Sequence, residues 1–252
     1  MYRLIPKTSY LICATPRSGS TLLCEALKNT GLAGNPDEYF GPMHVPRWNG
    51  IWQTNTADAY LQKVFEQGTG PNHVFGIKVM RLYWQDFLKQ LRQIEDTATL
   101  SEHDLLEALF PNLKYIWITR QDKVRQAVSW LKFLQGSAWY WEDEEPQQLE
   151  NLEFRPQVID DFLKQTAIHE SAWLAFFKQA RVKPHIVVYE ALAEDYEGTT
   201  KDVLDFLGIG YTHPLHFRKR RMRKQADSLS DAWVQRYLES KKGTEQFTQN
   251  NP

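Results

Sequence analysis

Ser9-Tyr10-Leu11-Ile12-Cys13-Ala14, then Thr15-Pro16-Arg17-Ser18-Gly19, then Ser20-Thr21-Leu22-Leu23, is the stretch that decides the fold. Its first six residues form a short, nearly unbroken apolar run, the pattern of a strand covered on both faces. Past the turn, Leu22, Leu23, Ala26 and Leu27 recur at helical spacing, and Gly31 and Gly34 stand where helix-ending residues belong. A strand that passes through a glycine-containing turn into a helix opens a βαβ unit. The first N–H groups of such a helix lack intrahelical partners and carry partial positive charge, which makes the turn a ready anion site. Gly19 lets the backbone come close to a ligand, Ser18, Ser20 and Thr21 add hydroxyl groups, and Arg17 adds a charged fork of donors. The ATPase pattern GxxxxGK[ST] would need Gly at position 14 and Lys at position 20, where Ala14 and Ser20 stand. The missing lysine, with no obvious acidic metal ligand, weighs against magnesium-dependent nucleotide hydrolysis.

The same alternation continues outward from this unit. His73–Met80 reads as a strand, with a helix over Tyr83–Gln93. Ser101 with Asp104 forms a capping box that opens a helix ending by Pro111. Lys114–Thr119 is the next strand, and a helix over Lys123–Gln135 puts Val124, Ala127, Val128 and Leu131 on one face. A long helix spans Gln157–Gln179, a strand His185–Tyr189, and another helix runs to Gly208. Ser228 and Asp231 form a second capping box, opening a last helix through Tyr237. Strands separated by helices imply an α/β fold in three layers, α/β/α, around a mostly parallel central sheet. Trp139–Glu150 reads as an acidic, mobile surface loop, and the last ten residues as a polar, frayed end.

A length of 252 residues suits one α/β domain, and the thirteen Phe, nine Trp and eleven Tyr supply a core and pocket walls. The net charge of −1 means that the molecule as a whole is no polyanion binder, so basic clusters must be judged locally. Cys13 and Cys24, the two cysteines, sit in apolar runs and read as buried reduced thiols; without a CxxC or Cys/His set no structural zinc is expected. The first residues lack the apolar stretch of a signal peptide, and no run reaches the roughly 18 apolar residues of a membrane span. The cytoplasm is the expected compartment.

Ligands of open parallel sheets bind at the carboxyl ends of strands. Arg120 follows the strand Lys114–Thr119, and Arg17 follows Ser9–Ala14, so both can address one ligand with two separated anionic groups. Ser129 lies on the next helix as a further donor. Arg218-Lys219-Arg220-Arg221-Met222-Arg223-Lys224 holds six cations in seven residues. It reads equally as a solvated or nucleic-acid-binding face and as a flap over a nucleotide phosphate, with Arg223 and Lys224 the preferred contacts.

With these residues in view, the chain resembles the sulfotransferase superfamily, most closely the bacterial trehalose 2-sulfotransferase family. Tyr10–Leu23 is similar to that family's 5′-phosphosulfate loop, Asn35-Pro36-Asp37-Glu38-Tyr39-Phe40 to its acidic acceptor-site motif, and Arg120–Ser129 to the segment that holds the donor's 3′-phosphate. Tyr189–Leu192 with Asp205–Gly208, and Arg223–Trp233, resemble further superfamily segments in the right order. Lys224 stands where the trehalose group often has Arg, and Gly41–Gly70 bears little likeness. The resemblance implies one P-loop-like sulfotransferase domain over 1–252 and transfer of a sulfuryl group from 3′-phosphoadenosine 5′-phosphosulfate to a carbohydrate hydroxyl. No metal is expected, and a homodimer is implied by the family. Arg17 and residues Ser18–Thr21 would stabilise the leaving phosphate, Arg120, Ser129, Arg223 and Lys224 would hold the donor, and Glu38 would be the general base. His44 and His73 are the reserve bases, and Lys78 would either touch the sulfuryl group or snorkel out to solvent. The rival readings are a small-molecule kinase, a nucleic-acid-binding module resting on Arg218–Lys224, and a binding-only relative.

Overall fold

The structure of the protein, a computed structural model, describes residues 4–94, 97–136, 152–222 and 227–249, with the backbone alone for 243–249. The elements run β1 (Thr8–Ala14), α1 (Ser20–Thr30), α2 (His44–Trp52), α3 (Ala57–Gly68), β2 (Val74–Met80), α4 (Trp84–Leu91), α5 (Glu102–Leu109) and β3 (Leu113–Thr119). They continue with α6 (Lys123–Leu134), α7 (Pro156–Ala180), β4 (His185–Val188), α8 (Tyr189–Glu194), α9 (Tyr196–Leu207) and α10 (Ser228–Gln249). This is an α/β fold with a parallel four-stranded sheet, order β2-β1-β3-β4, flanked by helices.

The described chain gathers into two compact units, residues 1–121 with 169–220, and residues 122–168 with 221–252. The first holds the whole sheet. Six consecutive residues of β1, Ser9 to Ala14, are buried, as expected for a strand between two parallel neighbours. Its core is aromatic: Trp84 meets Trp173 edge-on at 4.9 Å, and Phe87, Phe110, Tyr39 and Tyr60 are all buried around them. The Trp173 indole donates to the Ala14 carbonyl at 3.0 Å, which ties α7 to the carboxyl end of β1. The second unit packs Trp130 on Phe162 with centroids 4.5 Å apart, beside Trp233, Val234 and Tyr237. There the buried Lys132 donates to Asp227 at 2.6 Å and to Ser230 at 2.9 Å.

Several boundaries differ from the expected ones. The strand expected over His185–Tyr189 stops at Val188, because Tyr189 already begins α8. The single helix expected up to Gly208 is two, broken at Asp195, whose carboxylate caps α9 by accepting from Gly198 N at 2.9 Å. Asp227 rather than Ser228 supplies the side-chain cap at the start of α10, accepting from Ser230 N at 2.9 Å. That helix passes Tyr237 and continues to Gln249, so residues 243–249 of the expected frayed end are helical. The loop expected over Trp139–Glu150 lies outside the described residues. Cys13 and Cys24 are buried free thiols. No described helix is long and apolar enough to cross a membrane.

Candidate functional site

At the carboxyl end of β1 the chain turns through two residues of positive φ, Arg17 at 62° and Gly19 at 91°. Gly19 occupies the N-cap of α1, where no side chain caps the helix, so its first N–H groups stay available to a ligand. Ser18 is buried, and its Oγ has no hydrogen-bond partner among the described residues, as expected for a donor reserved for something absent from the chain itself. The Tyr189 ring lies directly against Gly19 and carries the Arg120 guanidinium on its face, 4.6 Å from the ring centroid. Arg120, which follows β3, also donates to the Arg17 carbonyl at 3.4 Å. Burial, reinforced by the positive charge of Arg120 and opposed by Tyr189, brings the Arg17 guanidinium down to about 10. The like charge of Arg120 thus acts against that of Arg17, an effect that an anion at this turn would offset.

The acidic motif lies along the free edge of β2. Lys78 N donates to the Asp37 carbonyl at 2.9 Å, and Asp37 pairs with Ile77 as an isolated parallel bridge. Asp37 Oδ1 accepts from Glu38 N at 2.7 Å, and Oδ2 from Lys28 Nζ at 2.8 Å. These contacts aim Glu38 inward, where Oε2 lies 2.8 Å from Lys78 Nζ and Oε1 3.5 Å from His44 Nε2. Burial pushes the Glu38 carboxyl up, but the Lys78 ammonium and the His44 contact outweigh it and hold the group below the usual glutamate range. For Lys78, burial acts downward and the Glu38 carboxylate prevails, so the ammonium is retained. Lys78 Nζ also donates to Thr21 Oγ1 at 3.3 Å. One buried lysine therefore spans the anion loop and the carboxylate.

The family model for Stf0 sulphotransferase matches residues 9–240. The chain belongs to the Stf0 sulfotransferase family. It is 28% identical to a trehalose 2-sulfotransferase of Mycolicibacterium smegmatis, over 91% of this chain and 94% of that protein. It is 29% identical to the trehalose 2-sulfotransferase of Mycobacterium tuberculosis, over 90% and 93%. Among solved structures, a sulfotransferase domain from the curacin biosynthetic pathway is 18% identical at a TM-score of 0.47, covering 90% of this chain and 83% of that one. A sulfotransferase domain from the Synechococcus PCC 7002 olefin synthase is 20% identical at a TM-score of 0.39, covering 91% and 88%.

In this Stf0 sulfotransferase the structure brings together Arg17, Ser18, Gly19 and Arg120 on one hand, and Thr21, Lys78, Glu38 and His44 on the other. Ser20 begins α1 and is buried. His73, the other reserve base, is exposed just before β2, at the opposite end of that strand from Met80. Ser129 is half-buried on α6, in the second unit, and Arg223 and Lys224 lie outside the described residues. In the described part of the basic stretch, Arg218 N donates to the Asn29 carbonyl and Arg220 stacks over Tyr196 at 5.1 Å. No group of three or more His, Cys, Asp or Glu suited to a metal occurs among the described residues. Lys78 is only 4% exposed, so it does not snorkel. Sequence reasoning places Tyr189 in a strand and a family-like segment but not at the anion loop, since its contact with Gly19 joins segments far apart in the chain.

The Gly19–Tyr189 contact gives a direct test. A Cβ at position 19 would sit 2.3 Å from the Tyr189 ring, at a φ that L-residues rarely adopt. Gly19→Ala should cost about 1–3 kcal/mol of stability and displace the ring that supports Arg120. A lower melting temperature together with weaker nucleotide binding is expected; unchanged values of both would refute the reading of this turn.

Proposed function

We propose that the chain transfers a sulfuryl group from 3′-phosphoadenosine 5′-phosphosulfate to a hydroxyl of a small carbohydrate, a trehalose-like disaccharide or a glycolipid. The observation that carries this reading is the meeting of Arg120 with the Arg17 main chain, its guanidinium donating to the Arg17 carbonyl at 3.4 Å, at the ends of adjacent parallel strands beside an uncapped helix N-terminus. The buried, unpartnered Ser18 hydroxyl fits an anionic donor there. Arg17 and the N–H groups of Ser18 to Thr21 would hold the 5′-phosphate, and Arg120 the 3′-phosphate, with Ser129, Arg223 and Lys224 added to the donor-binding set by resemblance. The names of the two mycobacterial relatives support a sugar acceptor.

The reaction is an in-line displacement. The acceptor oxygen bonds to sulfur, the bond from sulfur to the bridging phosphate oxygen breaks, and its electron pair stays on the phosphate. Arg17 and the α1 N–H groups stabilise that growing charge more strongly in the transition state than in the ground state. Glu38 takes the proton of the acceptor hydroxyl. The sulfuryl group carries less charge than a terminal phosphoryl group, so the chemistry places no demand for a metal. The family match runs through both compact units, which supports one sulfotransferase domain over 1–252. The sequence reading makes the cytoplasm the expected location, and the resemblance makes a homodimer the expected assembly.

The test is transfer of ³⁵S from labelled donor to trehalose and a panel of sugars in the presence of EDTA. Labelled sugar is the expected product. Failure to transfer to any sugar, with ATP turnover once magnesium is supplied in place of EDTA, would replace this reading with that of a kinase.

A further inference from the structure

Lys78 is a buried ammonium with two partners on opposite sides of the chemistry. Thr21, on the first turn of α1, is 3.3 Å from Nζ, and Glu38 Oε2 is 2.8 Å from it. An ammonium has three N–H donors, and the described residues engage two of them. An anion that settles on the α1 N-terminus and is held by the Thr21 hydroxyl would lie within reach of Nζ. It then competes with the Glu38 carboxylate for the same cation. A carboxylate held by an ammonium is a weak base, and one released from it in a buried setting is a stronger one.

We propose that Lys78 is a positioning residue that switches Glu38 on: it clamps the carboxylate in the donor-free protein and passes to the donor's sulfuryl oxygens when the loop is loaded. The proposal rests on the reading of Glu38 as base. Lys78 stays an ammonium throughout and forms no covalent bond; the acceptor's proton goes to Glu38, as before. The exchange makes the donor the substrate that must bind first for productive turnover, and it keeps the base quiet in an empty site. The other charged or titratable groups about Glu38 are His44 from α2, 3.5 Å away, Asp37 and Tyr39 beside it in the chain, and Cys24 and Lys28 from α1, with Lys28 already bonded to Asp37. None of these reaches both the loop and the carboxylate as Lys78 does.

The test follows the ¹³C signal of the Glu38 carboxyl through a pH titration of glutamate-labelled protein, the signal being assigned by its loss in Glu38→Gln. Titrations are made free and with saturating 3′-phosphoadenosine 5′-phosphosulfate, with a thermal shift confirming that the donor is bound. In the parent protein the donor should raise the midpoint by roughly 1–3 pH units. In Lys78→Met the free midpoint should already be high, and the donor should raise it distinctly less. Lys78→Gln serves the same purpose should the methionine variant not fold. A bound donor that leaves the parent midpoint in place, or raises it equally in parent and variant, overturns the switch while leaving the sulfotransferase reading intact. A protein that shows no thermal shift with the donor overturns both.

Discussion

Glu38→Gln lowers turnover by roughly 10²–10⁴-fold while adenosine 3′,5′-bisphosphate binds as it does to the parent protein. Glutamine has the shape of glutamate and can accept a hydrogen bond, but it cannot take the acceptor's proton. Stability and chemistry must be separated here, because the substitution leaves Lys78, 4% exposed, without its counter-charge. Removing one partner of a buried ion pair costs about 3–5 kcal/mol, so the melting temperature of the single variant should fall. The double variant Glu38→Gln/Lys78→Met removes both charges and should recover much of that loss without recovering turnover. A single variant that keeps parental turnover removes Glu38 from the chemistry, whatever its stability.

Arg17→Ala should lower turnover by roughly 10²–10³-fold, the range seen when one donor to a developing oxyanion is removed. Arg17 is half-buried at the turn before α1. The stabilisation by added nucleotide should shrink with its loss. Arg17→Lys keeps the charge but not the planar fork, and should fall between the two. Parental turnover in Arg17→Ala would show that this arginine does not face the leaving group.

The sheet was legible because each strand is a short apolar run, and β1 to β3 begin within one residue of their expected starts. The anion loop was legible for a local reason too: strand, glycine turn and helix are consecutive in the chain. Residues 41–70 were not. The helix α2 buries none of its residues fully, and Pro46 and Gly50 interrupt the short apolar stripe of Val45, Trp48 and Trp52, so its signal is weak. Lys78 could be seen in the sequence as a charge within an apolar strand, but not its use. The carboxylate that keeps it charged is Glu38, brought alongside β2 by the Asp37 bridge. Tyr189 read as the last residue of a strand, and only tertiary packing reveals it as the support beneath Gly19 and Arg120. Asp227 is not legible as the cap because Ser228 fits the local pattern, and the contact with Lys132 that anchors it comes from a distant helix.

One calorimetric comparison bears most directly on the idea of a doubly phosphorylated adenosine held at both ends: adenosine 3′,5′-bisphosphate against adenosine 5′-monophosphate, without magnesium. A charge-assisted contact from Arg120 to the 3′-phosphate predicts that the bisphosphate binds roughly 10–150-fold more tightly, and that Arg120→Ala removes most of the difference. Equal affinities for the two nucleotides, or a variant that weakens both alike, would contradict it.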